Sequence, residues 1–175
     1  MTYRGLLALI LLQLSIRAYK KEEPFNGYFA EHSKSHQVFD PEGYLTRSQK
    51  KELEQNLSDN FKESSAYIVI LKRMSQEYFD SYSKTFDIIV YADELAQYLM
   101  PVRNVREKSL LAVYALENRI YRIRTGSELR QRLPDDKVKD IADDILGFLK
   151  KAKYFEGLSD LIENLGKAKG KTDLE

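Results

Sequence analysis

A three-layer α/β/α sandwich, with a small mixed sheet of about four strands flanked by helices, is the fold class the sequence predicts. Three observations carry it. Ala66–Leu71 (AYIVIL) and Leu110–Leu116 (LLAVYAL) are apolar at every position, which suits short strands covered on both faces. Arg119–Thr125 alternates with period two and follows the second apolar run after only Glu117 and Asn118, so the two runs form a hairpin whose turn uses an Asn tolerant of positive φ. The segments between and after these strands repeat apolar residues at three- and four-residue intervals, the pattern of helices with one buried side.

Taken in order, Met1–Ala18 has the layout of a signal peptide. Arg4 supplies the positive start and Gly5–Leu14 the apolar core, with a cleavage point after Ala18. That core is shorter than the roughly 20 apolar residues of a spanning helix, and no later segment reaches that length, so no transmembrane segment is expected after cleavage. The mature chain is expected to be secreted, into the extracellular space or a secretory-pathway lumen. Residues 19–37 are polar and unpatterned, with Pro24 and Asn26-Gly27 breaking any period, and form an extended or partly disordered lead-in. The main domain is expected over 38–166.

Val38–Leu45 (VFDPEGYL) reads as a short strand and a turn, Pro41 fixing φ and Gly43 free to take φ > 0. Thr46 then opens a helix, with Gln49 completing a capping box and Leu53, Leu57 and Phe61 forming the buried stripe. Asn56-Leu57-Ser58 is a glycosylation sequon, although a helix is an unusual place for a used one. After Ala66–Leu71 comes a connection rich in aromatics, Tyr78, Phe79, Tyr82 and Phe86, which suits packing better than a ligand cage. A helix from about Asp87 to Met100 puts Ile88, Tyr91, Ala92, Leu95, Ala96 and Leu99 on one side, and Pro101 stops it.

The hairpin follows and ends at Gly126. Its second strand points Tyr121, Ile123 and Thr125 to one side and Ile120, Arg122 and Arg124 to the other, which predicts a half-solvated strand bearing guanidinium groups. Pro134-Asp135-Asp136 starts the next helix with acids where the macrodipole favours them. Its apolar stripe runs from Val138 to Leu149. A last helix, about Tyr154–Leu165, ends at Gly166, and residues 167–175 form a charged tail.

Composition narrows the chemistry. With 28 Lys+Arg against 27 Asp+Glu, the total charge gives no reason to expect nucleic acid as a partner. The absence of cysteine rules out disulfides, thiolate zinc sites and a cysteine nucleophile. His32 and His36 stand four apart, but Ser33-Lys34-Ser35 between them gives no helical face and no third ligand is near in sequence. Asp40, Glu42, Asp135 and Asp136 fall at a strand end or helix start, where several oxygen ligands converge on calcium; for Asp135 and Asp136 the alternative is helix capping.

The successive segments Val38–Thr46 (VFDPEGYLT), AYIVILKRMS, YADELAQYL, LLAVYALENRIYRIRTG, Leu133-Pro134-Asp135 and Tyr154–Leu158 (YFEGL) resemble the landmarks of the TPM domain family. That family includes a thylakoid-lumen phosphatase, a photosystem II repair protein and nematode modulators of the levamisole-sensitive acetylcholine receptor. The DPxG-x-LT opening is most similar to the animal receptor-modulator branch. The resemblance implies cations in acidic loops at one edge of the sheet, and the residues able to contribute are Asp40, Glu42, Glu128, Asp135 and Asp136. Two departures weaken such a site: Asn118 stands where the family places Asp, and Arg130 where it places Glu. Calcium is therefore expected to bind weakly or not at all. The resemblance supports two functional readings. One is a secreted, non-enzymatic interaction domain acting on an extracellular or membrane-protein partner such as a receptor. The other is a secreted calcium-assisted acid phosphatase hydrolysing phosphomonoesters.

Overall fold

The computed structural model describes residues 36–81, 83–101 and 103–171. The signal-peptide expectation, His32 and the lead-in up to residue 35 lie outside these, while the last two lead-in residues, His36 and Gln37, belong to β1. The order is β1 (His36–Phe39), α1 (Arg47–Asn60), β2 (Ala66–Leu71), a 3₁₀ turn (Gln76–Tyr78), β3 (Phe79–Asp80), β4 (Thr85–Phe86), α2 (Ile88–Leu99), α3 (Arg103–Glu107), β5 (Leu110–Ala115), β6 (Ile120–Thr125), α4 (Ser127–Arg130), α5 (Asp135–Asp144), α6 (Leu146–Lys150) and α7 (Tyr154–Lys171).

The main sheet is four-stranded and mixed, in the order β1-β2-β5-β6. β1, β2 and β5 are parallel; β6 returns antiparallel beside β5. The two all-apolar runs are thus the central pair, with Ile68 opposite Ala112 and Val69 opposite Val113. Because side chains alternate along a strand, each run serves two layers. Val38, Ile68, Ile70, Leu110, Ala112 and Tyr114 face a core closed by Leu53, Leu57 and Phe61 at α1 and by residues of α5 and α7. The opposite face, with Val69, Leu111 and Val113, lies on the side of α2, whose Tyr91, Ala92, Leu95, Ala96 and Leu99 are buried. Helices on both faces explain why neither run has a polar position.

Local signals place most boundaries. Thr46 caps α1, its hydroxyl accepting from the Gln49 N–H while the Gln49 side chain accepts from the Thr46 N–H, a complete capping box. Asp87 caps α2 by accepting from the Val90 N–H at 3.0 Å. Tyr78 and Tyr91 meet edge-on, as do Phe79 and Phe86, so the aromatic connection packs as expected.

Three expectations differ. Arg119, not Asn118, takes the left-handed conformation (φ 56). Asn118 is instead tied down, its side-chain oxygen accepting from the Met74 N–H at 2.8 Å. The guanidinium side of β6 stays partly exposed, as expected, with Arg122 and Arg124 half-buried and Asp93 of α2 binding Arg124 at 2.8 Å. The apolar stripe from Val138 to Leu149 belongs to two helices, broken at Ile145. Finally, α7 runs through Gly166 to Lys171. Gly166 is a close-approach residue: a Cβ there would lie 2.1 Å from the Asn60 side-chain oxygen and 2.9 Å from its Cβ, where α1 crosses α7.

Candidate functional site

The candidate acids reach their places through strand direction. Since β1, β2 and β5 are parallel, their carboxyl ends share one end of the sheet, and Asp40 and Glu42 follow β1 there. β6 runs the other way, so Glu128, Asp135 and Asp136, which come after it in the chain, start from the opposite end. The five residues therefore do not form one acidic edge. Among the described residues no group of three or more His, Asp or Glu side chains is placed to hold a metal ion.

Each acid has a local task. Asp40 is buried, one carboxylate oxygen accepting from the Tyr44 N–H at 3.1 Å and the other from the Leu45 N–H at 2.8 Å. This closes the turn in which Gly43 has φ +74. Glu42 is exposed on that turn. Glu128 lies 3.6 Å from Lys108, and Asp135 lies 3.3 Å from the Arg130 guanidinium. Asp136 is exposed in the first turn of α5, where its charge complements the helix dipole. Asn56 sits in the middle of α1, half-buried, its carbonyl accepting from the Asn60 amide at 2.9 Å; the sequon's Leu57 is fully buried.

Beside the first sheet end, the β5–β6 hairpin and the α6–α7 corner enclose a cleft of about 690 Å³, lined by Tyr114, Leu116, Ile120, Leu149 and Tyr154 with Arg119 and Lys150 among them. Burial pushes the Tyr114 phenol far above its ordinary 10.0, and its hydroxyl has no partner among the described residues. Tyr121 stacks on Tyr114 with ring centroids 5.8 Å apart and donates to Asp143 at 2.5 Å. The sequence offered no hint of this cleft, because its walls come from the hairpin and two helices that are remote along the chain.

The guanidinium groups suggested for β6 are also divided. Arg119 belongs to the hairpin end, whereas Arg124 is joined at the far end by Arg103, Arg106 and Arg130. Two arginines spaced three apart at 103 and 106, just before the strand that pairs with β6, were the available signal.

A four-stranded mixed sheet with one antiparallel edge strand and helices on both faces, beside a two-stranded β3–β4 ribbon, defines an α/β/α domain. The sequence model of the TPM domain matches residues 38–168, and the chain belongs to that family. Three solution NMR structures are similar in fold. They are an N-terminal domain from P. gingivalis (TM-score 0.63, 21% identity, covering 82% of this chain and 86% of that one); BA42 from the psychrophilic bacterium Bizionia argentinensis (TM-score 0.57, 22% identity, 75% and 86%); and the N-terminal domain of cg2496 from Corynebacterium glutamicum (TM-score 0.53, 18% identity, 75% and 78%). At such identities the likeness speaks for the fold alone. A comparison with curated proteins gave no match.

Proposed function

We propose that this TPM domain is a secreted, non-enzymatic interaction module that acts on an extracellular or membrane-protein partner, in the manner of the receptor-modulator branch its opening motif resembles. The observation that carries the reading is the use made of the candidate acids. Asp40 spends both oxygens on backbone N–H groups, Glu128 and Asp135 face cations, and Asn118, standing where the family has an acid, uses its side-chain oxygen to accept from the Met74 N–H. A phosphatase of this fold needs carboxylates free to gather a cation or to activate water beside the phosphoryl group. Carboxylates held in turns and ion pairs at two ends of a sheet support a structural duty instead. No helix among the described residues is long and apolar enough to cross a membrane, which accords with a domain that meets its partner from the aqueous side.

Turnover of a chromogenic phosphomonoester, with and without calcium and chelator, tests the reading. The module is expected to be inert throughout, and millimolar calcium to produce no saturable rise in Tm, since a site short of free carboxylates has little affinity. Hydrolysis abolished by chelator would overturn the proposal and favour a calcium-assisted phosphatase. Secretion is tested by intact mass: the exported protein is expected to begin at Tyr19, and a membrane-bound product retaining Met1 would refute that part.

A further inference from the structure

The carboxyl end of β6 carries cationic groups in excess of the acids that meet them. A cleft of about 510 Å³ is lined there by Arg103, Arg106, Arg124, Thr125, Ser127 and Arg130, with Glu107 as its single acidic lining residue. Gly126 brings these groups together: a Cβ at that position would lie 2.0 Å from the Arg106 carbonyl oxygen, so only glycine lets the end of β6 press against α3.

Three of the arginines approach their carboxylates through Nε, Arg103 with Glu107 at 2.8 Å, Arg124 with Asp93 at 2.8 Å and Arg130 with Asp135 at 3.3 Å. Arg130 also donates from Nη2 to the Thr125 carbonyl at 3.2 Å. The Arg106 side chain makes no ion pair among the described residues. Arg124 Nη1 is buried with no partner among the described residues; the hydroxyl of Thr125, a residue only 2% exposed, is likewise unpaired there but faces the other side of the sheet. A buried polar group left unpaired is costly and uncommon, and a guanidinium nitrogen can only donate. The cleft therefore lacks acceptors and negative charge together. Water supplies an acceptor but no charge. A tetrahedral oxyanion supplies both, and its oxygens match the spacing of guanidinium forks.

We propose that this cleft binds a phosphate or sulfate group, held by Arg106, Arg130 and the terminal nitrogens of Arg124. The site is independent of the interaction reading and stands or falls without it. The test is titration of the isotope-labelled protein with inorganic phosphate, inorganic sulfate and methyl phosphate, ionic strength being held constant with chloride and the amides of Thr125, Gly126 and Ser127 followed. Saturable shifts at these amides are expected, with affinity falling at least tenfold in Arg106→Gln with Arg130→Gln and unchanged in Lys167→Gln. Tighter binding of methyl phosphate assigns the group to an ester, and equal or tighter binding of the inorganic ions assigns it to a free ion. Shifts that never saturate, equal affinity in the double variant, or equal weakening by Lys167→Gln would each overturn the site, the last by showing only a diffuse positive field.

Discussion

Asp40 and Gly166 show how much a single position decides. Replacing Asp40 with Ala leaves the N–H groups of Tyr44 and Leu45 without an acceptor at the edge of the core, a loss of about 1 to 3 kcal/mol. Asp40→Asn keeps one acceptor oxygen and should cost less, while Glu42→Gln, on the exposed side of the same turn, should be silent. Urea unfolding of the three variants orders them. Gly166→Ala should defy helix propensity, which favours Ala by about 1 kcal/mol. Here the added Cβ meets Asn60, so the variant should be less stable than the parent, and the sign should reverse in an Asn60→Gly background, which removes the Asn60 Cβ together with its amide. Lower stability of Gly166→Ala in both backgrounds would mean the contact with Asn60 is not the cause.

At the scale of elements, the fold rests on two strands whose every side chain is covered. Ile68 is fully buried at the centre of β2, between Val38 and Ala112. An aspartate there would place a carboxylate among apolar neighbours with no cation in reach, a cost of several kcal/mol, comparable with the whole stability of a domain this size. Ile68→Asp is expected to be unfolded by circular dichroism, and a folded, secreted variant would contradict the two-sided burial of β2. The hairpin illustrates the opposite case, a local feature settled by distant contacts. Asn118 is the residue that tolerates positive φ in general, yet its oxygen is needed by Met74, and the left-handed position passes to Arg119.

For the molecule as a whole, the phenols govern behaviour at high pH. Burial raises Tyr78, Tyr91, Tyr114 and Tyr121 above the ordinary 10.0, helped at Tyr78 by its bond to Glu94 and at Tyr121 by its bond to Asp143. A raised folded value means that below pH 10 both states keep the proton and stability is fully present. Above it the unfolded chain releases protons the folded chain retains, and stability falls as pH rises. Urea midpoints are therefore expected to be level approaching pH 10 and to drop beyond it, with phenolate absorbance of these residues appearing only on unfolding. Tyr114→Phe removes a buried hydroxyl that has no partner among the described residues, and should be neutral or stabilising at neutral pH while lessening the alkaline loss. Titration of these four phenols that begins near 10.0 in the folded protein, followed residue by residue by NMR, would refute the account.

What the sequence determined by itself is everything that neighbours along the chain decide: the two covered strands, the capping box at Thr46, the buried stripes of α1 and α2, and the family to which residues 38–168 belong. These rest on periods of two and 3.6 residues and on side chains bonding to backbone a few positions away, so they are visible without a fold. What the tertiary structure decided is which remote residues meet. Asp40 and Glu128 read as partners in a row of acids, but β6 runs antiparallel and starts their stretches from opposite ends of the sheet. Gly166 reads as a helix stop, because glycine's weakness in helices is local information, whereas the need to let Asn60 approach exists only once α1 has crossed α7. The arginine cleft at the end of β6 is of the same kind: its members span positions 103 to 130, and only strand direction and the close approach at Gly126 gather their charges into one place.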